Sequence, residues 1–237
     1  MKNESKAGTG LTHPGPGCRI QEVDTRPPAQ LLHHLGLFDT ADISDQLNGL
    51  YAMQAGFYNV VNRDRITGPA CTVRVYPGDN LMVHKALDIA QPGDIIVVDT
   101  GGTTVSATIG GLMATKARHR GIAGFVIDGF VRDVEEMTEV GLPVYARGAT
   151  PVGPLHRGPG EINFPISCGG IVVNAGDVIC ADDNGIVVVP QNWGERVLKR
   201  LNEWKKLSEN YIQDVRRGEF SNEWVDQEID NLKLDGQ

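Results

Sequence analysis

A glycine-rich turn and an arginine–aspartate pair, 22 residues apart, carry the chemistry to be expected of this chain. The segment Ile109–Met137 reads IGGLMATKARHRGIAGFVIDGFVRDVEEM. Its start, Gly110-Gly111-Leu112-Met113, has the form of a helix entry. The first turn of a helix leaves four N–H groups without intrahelical partners, and the helix dipole favours an anion there. The stretch TGGTTVSAT at 100–108 is small and polar, so backbone can approach a ligand closely. Arg132 and Asp133 follow a buried-strand pattern, at the carboxyl end where ligands gather in open α/β sheets. A permanently charged guanidinium beside a carboxylate suits a small anionic substrate and a hard divalent cation. A purely structural reading of the same residues stands beside this one. Asp is a favoured N-cap, Arg132 can be a surface residue, and two glycines at a helix start also fit an ordinary loop.

Other groups are weaker candidates. Asp128 ends a strand and suits either a supporting carboxylate or a turn former. Asp182-Asp183-Asn184-Gly185 resembles a metal loop, but D-N-G between two strand patterns is first of all a hairpin signal. The six histidines (His13, His33, His34, His84, His119 and His156) show no H-x-x-x-H or H-x-H spacing. Cys18, Cys71, Cys168 and Cys180 form no C-x-x-C pair and read as reduced thiols, which fits a cytoplasmic protein. No G-x-S-x-G, P-loop or dinucleotide fingerprint occurs, and no glycine-rich loop with a downstream acidic ribose ligand offers a methyl-donor site.

These residues need a scaffold, and 237 residues at 41% hydrophobic and 22% charged suffice for one α/β domain with extensions. The net charge of −8 and the lack of a basic stripe argue against nucleic acid. No apolar run approaches a membrane span, and the N-terminus lacks the apolar core of a secretory signal. Residues 1–27 read as a flexible arm, 28–190 as the α/β core, and 191–237 as a C-terminal helix and tail.

Within the core, 28–50 look helical, with Ala41–Asp45 resembling a cap. Ala70–Tyr76 alternates as a strand, 80–90 is an amphipathic helix, and Asp94–Asp99 is a buried strand. A helix over 109–120 ends at Gly121. Gly124–Asp128 is a buried strand, Asp133–Val140 a helix closed by Gly141 and Pro143, and 144–146 a short extended piece. Residues 150–165 read as a long loop or a pair of short edge strands. Strands follow at 170–174, 178–181 and 185–189, then a charged amphipathic helix over 191–217. Pro77-Gly78-Asp79, Pro92-Gly93-Asp94 and Ala175-Gly176-Asp177 share a turn chemistry in which Gly supplies positive φ and Asp bonds its own backbone. Alternating strands and helices followed by closely spaced strands imply a mixed sheet covered by helices.

With these residues in view, the chain resembles the RraA-like family, nearest to its class II 4-hydroxy-4-methyl-2-oxoglutarate / 4-carboxy-4-hydroxy-2-oxoadipate aldolases. The resemblance runs over about residues 40–217. It is carried by Gly78-Asp79-Asn80, the strand at 92–99, the Gly-x-Leu-x-Ala-x-x-Ala helix at 111–117, RGIAGFVIDGFVRD at 120–133, GLPV at 141–144 and ADDNGIVVVP at 181–190. The R-G…D-G…R-D run is specific to the family, whereas the G-D turns are not.

The resemblance implies a swivelling α/β/β/α sandwich with mixed sheets, assembled as a homotrimer or homohexamer with interfacial active sites. It makes Asp133 the ligand of Mg²⁺ or Mn²⁺ and places Arg132 on the oxo and carboxylate oxygens of a small 2-oxo acid. The backbone N–H groups of Gly110, Gly111, Leu112 and Met113 would hold the pyruvyl carboxylate. The implied reaction cleaves a 4-hydroxy-2-oxo acid to pyruvate and a second oxo acid through a metal-stabilised enolate, with oxaloacetate decarboxylation as a side activity. A carboxylate from the C-terminal helix of a neighbouring subunit is also implied, with Glu209 the nearest match and Glu203 a poorer one. The chain departs from the pattern at one point: the family's G-[DE]-L-x-A has Gly111 in its acidic position, which puts the proton shuttle in question. The alternative is a non-catalytic regulator like the family's ribonuclease-binding branch.

Overall fold

The computed structural model describes residues 16–23 and 25–234, and the chain divides into two compact units, Met1–Leu198 and Lys199–Gln237. In the first unit the elements run β1 (Cys18–Ile20), α1 (Ala29–Leu35), α2 (Thr40–Asp45), β2 (Tyr58–Asn59), β3 (Ile66–Val75), α3 (Leu81–Ile89), β4 (Ile95–Asp99), α4 (Gly111–His119), β5 (Gly124–Val131), α5 (Val134–Val140) and β6 (Val144–Ala149). They continue with β7 (Gly160–Ile162), β8 (Ile166–Cys168), β9 (Ile171–Val173), β10 (Val178–Asp182) and β11 (Gly185–Val189). Helix α6 (Gly194–Arg217) begins in this unit, and α7 (Glu223–Leu234) belongs to the second.

The main sheet has the order β1-β7-β3-β4-β5-β6-β2. Strands β3, β4, β5 and β6 are parallel, linked by α3, α4 and α5. The β10–β11 hairpin joins through β10, antiparallel to β3 over Ile66–Pro69, while β7 pairs antiparallel with Val73–Val75 of the same strand. The architecture is the expected mixed α/β one. Side chains alternate along each strand, so one sheet has two cores. Ile96, Val98, Phe125 and Ile127 pack with Val83, Ala86, Met113, Ala117 and Met137 of the three crossover helices. Ile95, Val97 and Val126 pack on the other face with Ile166, Val173, Ile179 and Val188. Burial on both faces is why β4 and β5 are continuous apolar runs.

Several local expectations change. Residues 28–50 are not one helix: Gly36 ends α1, and Asp39 in extended backbone (ψ 149°) starts α2. Asp39 gives no side-chain cap, because its Oδ1 accepts from Arg65 Nη2 at 2.6 Å. Ala41–Asp45 lies inside α2 rather than capping it. The 150–165 segment contributes β7, which lies between β1 and β3 rather than at an edge. Part of the N-terminal arm, Cys18–Ile20, pairs in parallel with β7, while residues 1–15 lie outside the described residues. The D-N-G turn closes the β10–β11 hairpin, with Asp182 opposite Gly185. All three small-Gly-Asp turns have positive φ at glycine (83°, 88° and 86° at Gly78, Gly93 and Gly176). Their aspartates accept from Leu81, Gln91 and Asn174 N–H respectively.

Helix α7 falls in a tail for which the sequence pattern gave no element. In α6, Trp204, Leu207, Tyr211 and Val215 form an exposed apolar stripe at helical spacing. No described helix is long and apolar enough to cross a membrane.

Asp182 ties α2 to the hairpin. Its carboxylate accepts from Thr40 N–H (2.8 Å), Thr40 Oγ1 (2.6 Å) and Asn184 N–H (2.8 Å). Burial disfavours its charge, but the Thr40 and Asn184 donors and nearby Arg65 outweigh burial and hold the carboxyl below its usual value. A depressed pKa adds stability above the unfolded value of about 3.9, which is lost as pH falls through the folded value. Asp182→Ala is therefore expected to lower unfolding free energy by about 1–3 kcal/mol at pH 7. In urea titrations its deficit against wild type should shrink below about pH 4.

Candidate active site

The site lies beyond the carboxyl ends of β4 and β5. After β4 the chain crosses the end of β5 in contact with it. Ala107 bridges Phe130, Thr108 N–H donates to Phe130 O (2.7 Å), and Arg132 N–H donates to Ile109 O (3.0 Å). These bonds bring Gly110 beside Arg132. The register of β5 on β6 shifts between Ile127 and Phe130, and such an irregularity re-aims the residues beyond it. On the other side, Thr150 N–H donates to Val131 O and Ala107 N–H to Val152 O, so the 150–153 loop runs along the same strand end.

Arg132 Nε lies 3.5 Å from Asp133 Oδ2, and both side chains are a little over 40% exposed. Asp133 is the N-cap of α5 but makes no side-chain cap bond, and its backbone is left-handed (φ 56°). Instead, Oδ2 accepts from the Gly111 N–H across the gap between helices, at 3.4 Å. Among the described residues, Oδ1 has no hydrogen-bond partner. The approach depends on missing side chains. A Cβ on Gly110 would strike the Asp133 carboxylate and lie 3.2 Å from Arg132 Cγ, and one on Gly153 would lie 2.7 Å from Arg132 Nη1. A Cβ on Gly111 would land on the carboxylate of Glu136. A cavity of about 370 Å³ opens here, lined by Arg132, Asp133, Val134, Ala149, Thr150 and Pro151.

In the first turn of α4, the Met113 and Ala114 N–H groups fold back onto Gly110 O at 3.0 and 3.1 Å. Gly111 N–H is shared with Asp133, and Leu112 N–H has no partner among the described residues. The Leu112 side chain is 72% exposed. Gly110–Met113 and Arg132–Asp133 thus converge, while Glu209 is an exposed residue of α6 in the second unit.

Other carboxylates are committed to structure. Asp128 accepts from Arg147 Nε (2.9 Å) and Gly169 N–H (2.7 Å). Asp99 accepts from Arg74 Nε and Gly101 N–H. Burial pushes the Cys71 and Cys180 thiols up to about 12, and raises Cys168 as well. None of the three is a thiolate near neutral pH, so they offer no nucleophile. Glu136, whose carboxylate lies over Gly111, is a neighbour of this turn that sequence reasoning did not single out.

Gly110→Ala is expected to displace the Asp133 carboxylate and to destabilise by about 1 kcal/mol, since alanine is a poorer helix N-cap than glycine. Leu112→Ala should stay within about 0.5 kcal/mol of wild type. Urea midpoints of the two variants separate a requirement for close approach from a general sensitivity of this helix.

A family model described as aldolase/RraA, RraA-like, matches residues 40–188. A Halalkalibacterium halodurans protein provisionally named 4-hydroxy-4-methyl-2-oxoglutarate aldolase is 41% identical over 161 residues, covering 68% of this chain and 77% of its own. A Thermus thermophilus protein named 4-hydroxy-4-methyl-2-oxoglutarate aldolase is 36% identical over 152 residues, 64% of this chain and 92% of its own. The crystal structure of Streptomyces coelicolor RraAS2, described as an unusual member of the RNase ES inhibitor RraA protein family, superposes with a TM-score of 0.72 at 26% identity, covering 79% and 98% of the two chains. The match over the whole crossover region, strand ends and site included, makes this chain a member of the aldolase/RraA family.

Proposed function

We propose that this chain is a divalent-metal-dependent lyase that cleaves a 4-hydroxy-2-oxo acid, of the 4-hydroxy-4-methyl-2-oxoglutarate class, to pyruvate and a second oxo acid. The observation that carries this reading is the convergence of Arg132 and Asp133 on the Gly110–Gly111 turn, in a chain whose relatives bear aldolase names.

The residues fit a hard cation. Asp133 keeps one carboxylate oxygen without a partner among the described residues. No group of three His, Cys, Asp or Glu side chains suited to a metal occurs among the described residues. A cation held by one protein carboxylate, with water and substrate oxygens completing its shell, is the habit of Mg²⁺ and also suits Mn²⁺. When bound, it would supply a positive charge against the enolate that develops on the 2-oxo oxygen. Arg132, lying between Gly153 and the Gly110 turn, would fork across the oxo and carboxylate oxygens of the pyruvyl half. The Leu112 N–H and the positive end of α4 would receive the carboxylate. Oxaloacetate decarboxylation needs the same enolate stabilisation and is expected as a side activity.

We also propose a homotrimer or homohexamer in which Glu209 of a neighbouring subunit approaches the site. The exposed apolar stripe of α6 and the exposed Val105, Leu112 and Val152 favour burial against further copies. The likeness to RraAS2 supports a second reading, a protein-binding regulator without turnover.

Pyruvate release from 4-hydroxy-4-methyl-2-oxoglutarate and from oxaloacetate, with Mg²⁺, Mn²⁺ or a chelator, tests the proposal. Metal-dependent turnover is expected. Asp133→Ala should lower kcat/KM at least about 10²-fold, and so should Arg132→Lys, which loses the bidentate fork. A folded, metal-loaded protein that turns over neither substrate would favour the regulator.

A further inference from the structure

We propose that Glu136 is the general base of this site, taking the proton of the substrate's 4-hydroxyl as the C3–C4 bond breaks. The assignment rests on the aldolase reading above. In that step the hydroxyl proton moves to a base and the O–H electron pair becomes the second bond of the new carbonyl at C4. The C3–C4 pair passes to the pyruvyl fragment as its enolate. C3 then takes a proton, and the base is restored if that proton is the one it removed.

Few groups at the site can hold this proton. Arg132 stays charged at any working pH. Asp133 Oδ2 accepts from Gly111 N–H and lies against Arg132, and Oδ1 is the atom left for a cation. No described histidine joins the cluster: His119 is the last residue of α4, at the opposite end of that helix from Gly110. Glu136 lies in the first turn of α5, three residues after Asp133, and the two carboxylates meet the neighbouring glycines 111 and 110 of the α4 turn.

The side chain of Glu136 lies over the α-carbon of Gly111. A Cβ at that position would meet its Cδ, Oε2 and Cγ before any other atoms. The carboxylate therefore occupies the volume that a side chain at 111 would require, and the glycine is what admits it. The carboxylate reaches this space from α5, across the gap from α4.

Its partners distinguish Glu136 further. Asp79, Asp94, Asp99, Asp128, Asp177 and Asp182 all accept backbone N–H groups and hold turns or strand ends. Glu136 is exposed and makes no hydrogen bond or ion pair with any described residue. A carboxylate seated over Gly111, on the turn whose N–H Asp133 accepts, and with no partner among the described residues, is available for proton transfer.

The test compares wild type with Glu136→Gln, Gly111→Asp and the double variant Gly111→Asp/Glu136→Ala, measuring cleavage of 4-hydroxy-4-methyl-2-oxoglutarate, oxaloacetate decarboxylation and Mn²⁺ affinity. Glu136→Gln should lower kcat for cleavage at least about 10²-fold, with little change in KM, and remove the acidic limb of the kcat–pH profile. The fall in cleavage should exceed the fall in decarboxylation at least tenfold, since oxaloacetate has no hydroxyl proton to lose. Mn²⁺ should bind Glu136→Gln within about threefold of wild type, whereas Asp133→Asn should lose it. Gly111→Asp alone puts two side chains in one volume and should lose activity. The double variant should recover cleavage to well above Glu136→Gln. The assignment is overturned if wild type cleaves the substrate and Glu136→Gln keeps its rate and acidic limb. It is also overturned if both reactions and Mn²⁺ binding fall together. A wild type that processes neither substrate removes the aldolase reading itself, and this assignment with it.

Discussion

The site exists because two helix starts come closer than side chains would allow. Gly110 and Gly111 open α4, Asp133 and Glu136 belong to the start of α5, and the two turns touch through bare α-carbons on one side and carboxylates on the other. The backbone bonds from 107–109 to the end of β5 set that distance, and the parallel β4–β5 pair sets those bonds. The glycines make room for different groups. Gly110 admits Asp133, Gly111 admits Glu136, and Gly153, across the strand end, admits the Arg132 guanidinium. Glycine weakens a helix interior but costs little in its first turn. The fold therefore gives up little local stability for this proximity.

A second division runs through the acidic residues. Most buried carboxylates are architectural. They accept backbone N–H groups in the G-D turns, close the β10–β11 hairpin or pair with arginines at strand ends. Such groups satisfy donors that burial would otherwise leave without partners. Asp133 and Glu136 differ in lying at the surface, with little or no internal hydrogen bonding. The same residue types are thus tied into the framework or left open at the surface according to how many donors surround them.

The sequence carried much of this, for identifiable reasons. Strands β4 and β5 are apolar runs because both sheet faces are covered, and the hairpin is written in D-N-G. Arg132–Asp133 and Gly110–Gly111 were legible as strand-end and helix-start signals. What could not be read depends on partners distant in the chain. Strands β1, β2 and β8 have only two or three residues, and their extended form comes from pairing with β7, β6 and β9. The break between α1 and α2 turns on Asp39 being drawn to Arg65. Glu136 looks like any exposed glutamate of a first helical turn, and only the fold brings it over a glycine 25 positions earlier.

Asp133 sits in left-handed backbone, where a non-glycine residue is disfavoured, and it starts α5 without using its side chain as a cap. Both features run against stability, and both leave the carboxylate turned toward Gly111 and the cavity. Glycine at 133 would relieve the backbone, and a residue that capped α5 would strengthen the helix. A laboratory selection for heat resistance alone would therefore tend to discard this aspartate.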